Sequence, residues 1–185
     1  MGYDRLMPQS LIRDAILADA PAIAGLHLRS WRAAYESIAP ADAVRVLTEE
    51  VRRDRWTAML AAPKPRWVCR VIEVEGTIQA VGVACAPSEP LFGERGEVRH
   101  LYVEPDLRRS GLGRRMTAEL TGVIAGWGYG GLALSVVVEN APARAFYAAL
   151  GGREIGRFTD PGPVWKSQNI ALVWDDLPAL RARLA

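Results

Sequence analysis

The run Val103-Glu104-Pro105-Asp106-Leu107-Arg108-Arg109-Ser110-Gly111-Leu112-Gly113-Arg114-Arg115 constrains this chain more than any other segment. Before it, Gly96–Glu104 reads as a strand that Pro105 must end, because proline removes a ladder donor and restricts its predecessor. After it, helical spacing runs from Leu112 to about Trp127. A strand that passes through glycines into a helix makes an anion cradle. Gly111 and Gly113 let the backbone approach a ligand closely, and the free N–H groups at the positive end of the helix attract phosphate. Neighbouring arginines add charge-assisted contacts. The bland alternative is a helix-starting loop with a solvated basic face. Two common glycine loops are excluded: no Gly-Lys-Ser/Thr follows, and Met116 stands where a dinucleotide fingerprint needs glycine or alanine. The later Gly126-Trp-Gly-Tyr-Gly-Gly131 follows a helix and reads as a turn.

The rest of the chain frames this loop. A short strand at Leu11–Asp14 precedes a helix that Asp19 can cap, with Pro21 in its first turn and an apolar face running to about Tyr35. Pro40 opens a short helix, and Thr48 opens an amphipathic one reaching Ala61, which Pro63–Pro65 stops. Trp67–Val74 and Thr77–Ala86 read as antiparallel strands around a Glu75-Gly76 turn. Leu132–Val138 is an apolar run suited to a strand buried on both faces, Asn140 caps a helix through Leu150, and Gly151-Gly152 ends it. Closing strands fall at Arg153–Phe158 and Asn169–Trp174. The order predicts a mixed α/β layer fold rather than a regular βα repeat.

With 185 residues, 50% hydrophobic and 24% charged, the chain can build one domain over residues 1–185 with its core at about 11–175. No apolar run is long enough for a membrane span, and Met1–Leu11 carries no secretory leader, so a cytoplasmic protein is expected. A net charge of +2 is too mild to demand nucleic acid. Lys64 and Lys166 are the only lysines, so the positive charge is nearly all arginine, densest at Arg108, Arg109, Arg114 and Arg115. Cys69 and Cys85 lie in strand-like text, too few for a disulfide framework or a four-ligand metal site. His27 and His100 are far apart in sequence and give no metal spacing.

Arg108-Arg-Ser-Gly111-Leu-Gly113 resembles the Gln/Arg-x-x-Gly-x-Gly/Ala signature of the GCN5-related N-acetyltransferases, whose loop binds the pyrophosphate of acetyl coenzyme A. Asn140-x-x-Ala143-x-x-Phe146-Tyr147-x-x-x-Gly151 resembles the next segment of that family, and Ser30-Trp31-Arg32-Ala33-Ala34-Tyr35 resembles the first helix of a common bacterial subgroup. The resemblance implies a mostly antiparallel sheet of six to seven strands flanked by helices, with a splayed strand pair at the cofactor site. It implies that the backbone of Leu101, Tyr102 and Val103 lies along the pantetheine arm, with the Val103 N–H toward the thioester oxygen. Arg108, Arg109, Ser110, Gly111, Leu112, Gly113 and Arg114 would hold the pyrophosphate, flanked by Asn140, Ala143, Phe146 and Tyr147.

Amide formation needs a neutral amine, stabilised charge on the carbonyl oxygen and a protonated leaving thiol. An amine of pKa about 10 needs a base at neutral pH. The resemblance points first to Glu97, with His100 as the other choice. Tyr147 matches the tyrosine that protonates the thiolate, and a phenol of pKa about 10 is a suitable donor to a thiol of about 8.5. Trp31, Tyr35, Glu36 and Trp165 are implied at the acceptor site; all could equally be packing residues. The chain reads Glu36-Ser37 where that subgroup often has Arg-Gly, and Glu36 would suit a cationic amine. The acceptor stays open between a small-molecule amine and a peptide or protein amine. A homodimer is open by analogy, a non-catalytic acyl-coenzyme A module is the rival of another class, and no membrane or nucleic-acid partner is expected.

Overall fold

The structure is a computed structural model describing residues 10–62, 64–162 and 164–185; Met1–Gln9, where most of the segment read for a leader falls, Pro63 and Pro163 lie outside them. Seven strands form one sheet: β1 (Ser10–Asp14), β2 (Trp67–Val74), β3 (Thr77–Cys85), β4 (Gly96–Val103), β5 (Leu132–Val137), β6 (Arg153–Thr159) and β7 (Gln168–Trp174). Their order is β1-β2-β3-β4-β5-β7-β6, and every pair is antiparallel except β4 with β5. The helices are α1 (Ala20–Tyr35), α2 (Ala41–Val46), α3 (Glu49–Ala61), α4 (Leu112–Gly126), α5 (Ala141–Ala149) and α6 (Leu177–Leu184).

Local chemistry explains most boundaries. Glu75 (φ 51°) and Gly76 (φ 76°) make the left-handed pair of a tight hairpin. Thr48 Oγ1 accepts from the Val51 N–H at 3.3 Å and starts α3. Asp19 is the exception. It stands at the N-cap of α1, but its carboxylate is held by Arg13 at 2.7 and 2.9 Å and by the Ile16 N–H at 2.8 Å, so it caps a preceding 3-10 turn instead. The apolar run of β5 is not buried throughout, since Ser135 is exposed. The expected closing point near residue 175 is also exceeded: Leu177, Leu180 and Leu184 of α6 enter the core at helical spacing, behind Pro178 and an Asp176 carboxylate that accepts from the Ala179 N–H.

Two cores lie on opposite faces of the sheet. On one face α4 buries Leu112, Met116, Leu120 and Ile124, four residues apart. A Cβ on Gly82 of β3 would stand 2.7 Å from both Met116 Cγ and Leu120 Cδ1, so the missing side chain is what lets α4 sit directly on the strand. Each such apolar side chain contributes about 1.5–3 kcal/mol. On the other face α1 and α3 pack through Ile23, Leu26 and Trp56 onto Val71, Val81 and Val83. Cys69 and Cys85 are free and buried.

Candidate active site

Strand β4 is irregular where it matters. Ala84 opposes Val98 and Val83 opposes His100, so Arg99 is an extra, bulged residue. The bulge resets the alternation. His100 and Tyr102 pair with Val83 and Val81 of the α1 face, whereas Val98, Leu101 and Val103 pack in the α4 core. Glu97, opposite Ala133 of β5, shares a face with a small cluster around Phe92 and Ala171. The pairing of β4 with β5 consists of Gly96 with Leu132 and Glu97 with Ala133, after which the strands separate. Leu101, Tyr102 and Val103 remain paired to β3 and present their other edge to this gap.

At the mouth of the gap the glycine loop is built as a cradle. A 3-10 turn at Pro105–Leu107 is followed by Arg109 (φ 68°) and Gly111 (φ 90°), both left-handed. Gly111 is the N-cap of α4 and offers no side-chain cap. Among the described residues the N–H groups of Arg109, Gly111, Leu112, Gly113 and Arg114 donate to no acceptor, while Ser110 N–H and hydroxyl both turn back to Leu107 O. No atom lies within 4 Å of where a Gly111 Cβ would project.

The arginines do not act as one patch. Arg108 Nη2 donates to Ser30 O of α1 at 3.3 Å. Arg114 donates to the Leu184 carbonyl at 3.2 Å and to that of Arg183, and Arg115 to Ser10 O at 3.0 Å. These three fasten α1, α6 and β1 to the loop and the first turn of α4, and among the described residues Arg109 makes no such tie. The sequence does not reveal this division, because the acceptor carbonyls are distant in the chain.

Helix α5 forms the far wall. Asn140 Oδ1 accepts from the Ala143 N–H at 3.2 Å, capping the helix, and Nδ2 donates to the Tyr35 hydroxyl at 2.9 Å. Ala143 and Phe146 pack against the α4 core, and Phe146 Cζ lies 3.7 Å from a Gly113 Cβ position. Tyr147 is buried between Phe146 and Trp174, with ring centroids at 5.0 and 6.0 Å. Burial raises its hydroxyl pKa, and the nearby Tyr35 and Tyr102 reinforce the shift, so the phenol keeps its proton.

On the α1 side, Trp31, Tyr35 and Trp165 meet as a trio, with centroids 5.5 to 6.1 Å apart. Glu36 is exposed at the C-cap of α1. Glu97 is buried and its carboxylate is engaged by Arg99 at 3.1 and 3.2 Å and by the Ser88 N–H at 2.8 Å. Burial, with Arg99, lowers His100 to about 4, so its imidazole is neutral. His27, distant in sequence, lies with its ring centroid 6.2 Å from that of His100 and stacks on Tyr102 at 4.1 Å. Arg52 of α3, which sequence reading passed over, completes this cluster at 2.7 Å from His27 Nε2. The available signal was its four-residue spacing from Trp56, which puts both on the buried face of α3.

This arrangement, a splayed parallel pair with an uncapped helix at its mouth, is that of an acyl-coenzyme A transferase. Residues 28–151 match the model of the acetyltransferase (GNAT) family, and the chain belongs to that family, as an acetyl-coenzyme A-dependent N-acetyltransferase. It is 25% identical over 173 residues to the uncharacterized N-acetyltransferase YuaI of Bacillus subtilis (strain 168), covering 94% of this chain and 97% of the relative. The fold is similar to that of PaiA N-acetyltransferase from Thermoplasma acidophilum in complex with coenzyme A, with a TM-score of 0.72, 14% identity, and 88% and 98% of the two chains covered. It is similar also to yncA from Salmonella typhimurium with acetyl-CoA, with a TM-score of 0.64, 19% identity, and 90% and 93% covered.

Proposed function

We propose that this chain, acting as one domain in the cytoplasm, acetylates a primary amine by direct attack within a ternary complex. The observation that carries the reading is the uncapped start of α4 at the mouth of the β4–β5 gap. Its unpaired N–H groups at Arg109, Gly111, Leu112, Gly113 and Arg114 fit a pyrophosphate. The free edge of Leu101, Tyr102 and Val103 fits an extended amide-bearing arm, which can hydrogen-bond to it as another strand would. Acetyl coenzyme A supplies the activated acetyl group as a thioester.

The side chains divide the remaining work. Tyr147 retains its proton and can donate it from Oη to the departing sulfur. Glu97 is fixed by Arg99 and Ser88 and has carboxylate lone pairs left to take the amine proton, directly or through water. His100, lowered to about 4 by burial and Arg99, is neutral and a weak base, and stays the second candidate. Trp31, Tyr35 and Trp165 would line the acceptor side. Direct transfer is favoured over an acyl-enzyme because both cysteine thiols are buried and pushed up to about 12, where neither offers a thiolate.

Calorimetric titration with acetyl coenzyme A, beside dephospho-coenzyme A and NAD, tests the donor half. Selective binding of acetyl coenzyme A, followed by thiol release on addition of amines, is the expected result. Equal or absent binding of all three would overturn it.

A further inference from the structure

Arg52 is a buried cation that no carboxylate in the described chain answers. It is 3% exposed on the inner face of α3. Arg13, Arg29 and Arg99 each pair with a carboxylate. Arg52 has none; among the charged groups acting on it are two further cations, Arg55 and Arg32. Its Nε and Nη2 have no hydrogen-bond partner.

Its one polar contact is no better. Trp56 Nε1–H donates to His27 Nδ1 at 3.1 Å. Burial and Arg52 itself hold His27 well below its ordinary range, so the ring is neutral and has a single acceptor nitrogen. Arg52 Nη1 lies 2.7 Å from Nε2, so the Trp56 and Arg52 N–H groups compete for that one acceptor, and whichever nitrogen carries the proton turns an N–H toward one of them. A donor therefore faces a donor. A buried guanidinium in this state is strongly disfavoured until an anion joins it.

The free atoms indicate the anion's shape. Nε and Nη2 form one edge of the guanidinium, the edge that grips two carboxylate oxygens side by side. The place is also informative. Arg52 Cζ lies 5.1 Å from the Trp31 ring centroid, Trp31 belongs to the trio with Tyr35 and Trp165, and His27 stacks on Tyr102 of β4.

We propose that Arg52 receives the carboxylate of the acceptor, so that the acetylated amine belongs to an amino-acid-like small molecule. The inference rests on the acetyl-transfer reading and narrows its acceptor. A carboxylate bound to so deeply buried a group must be enclosed by the protein, which suits a small molecule rather than the surface of a folded partner.

The test is a thiol-release assay with acetyl coenzyme A and the twenty common amino acids, each compared with the matching amine that lacks the carboxylate. For at least one pair, wild-type kcat/KM should favour the amino acid by tenfold or more, a ratio that needs no variant to read. Arg52→Met should bring that ratio toward one, chiefly by raising KM for the amino acid, and should melt no lower than wild type because an unpaired charge is gone. Arg52→Lys should retain part of the preference. The proposal falls alone if acetyl coenzyme A binds and carboxylate-free amines react as well as amino acids, or if no amino acid reacts. It falls too if both variants melt well below wild type with the ratio intact, which would assign Arg52 to holding α3 on α1. Loss of acetyl coenzyme A binding in the wild type would remove the parent reading with it.

Discussion

The Asn140 side-chain amide donates to the Tyr35 hydroxyl at 2.9 Å, joining positions 105 residues apart. The same side chain caps α5 through the Ala143 N–H, so one residue starts a helix and ties it to the last turn of α1. α5 packs on the α4 core through Ala143 and Phe146, and α1 carries Trp31 and Tyr35. Asn140 therefore links the wall beside the proposed donor to the aromatic trio beside the proposed acceptor.

Removing this link should be measurable as stability. Asn140→Ala loses the cap, worth about 1 kcal/mol, and the tether, worth about another. Tyr35→Phe loses the tether alone. Thermal unfolding should show a drop of a few degrees for Asn140→Ala, about half of it for Tyr35→Phe, and less than the sum for the double variant. Additive losses would show that the two groups do not interact.

Gly111→Ala should weaken acetyl coenzyme A binding by roughly tenfold, because the φ of 90° that sets the unpaired N–H groups at the start of α4 disfavours alanine. Gly76→Ala is the control, since its φ of 76° carries similar strain in the distant β2–β3 turn. Calorimetry should separate them: both lose about 1–2 kcal/mol of stability, and only the first loses affinity.

Tyr147→Phe keeps the ring between Phe146 and Trp174 and deletes the proton donor. Turnover should fall by about a hundredfold with acetyl coenzyme A affinity held within a factor of two or so. Equal kcat for the two proteins would leave Tyr147 as a core residue only.

Acid should unfold this protein partly through His100. Its imidazole titrates near 4 when folded and near 6.5 when unfolded, so the unfolded chain binds more protons between those values. Stability is complete above about 6.5 and declines as pH falls toward 4, by on the order of 3 kcal/mol. In His100→Gln, urea midpoints measured across that window should change less steeply with pH. An identical slope would mean that other groups carry the acid sensitivity.

The sequence by itself determined the elements and the cradle. Pro105 and Gly111 fix where β4 ends and α4 begins, because proline and left-handed dihedrals are properties of single residues. Asn140 announced its helix in the same local way. The core expected from the sequence stops at about residue 175 and misses α6, although Asp176, Pro178 and three leucines at helical spacing carry the same kind of local signal. Tertiary structure decided what those elements do together. Nothing in Val98-Arg99-His100 marks a bulge, yet the bulge puts His100 and Tyr102 on the α1 face. Nothing near Arg108, Arg114 or Arg115 says that their guanidinium groups are spent on carbonyls of α1, α6 and β1. Arg52, an ordinary arginine in an amphipathic helix, becomes an unanswered charge only when packing brings His27, Trp31 and Trp56 around it and no carboxylate. Local propensity is written in neighbouring residues, whereas desolvation and charge pairing depend on which distant residues the fold places within a few ångströms.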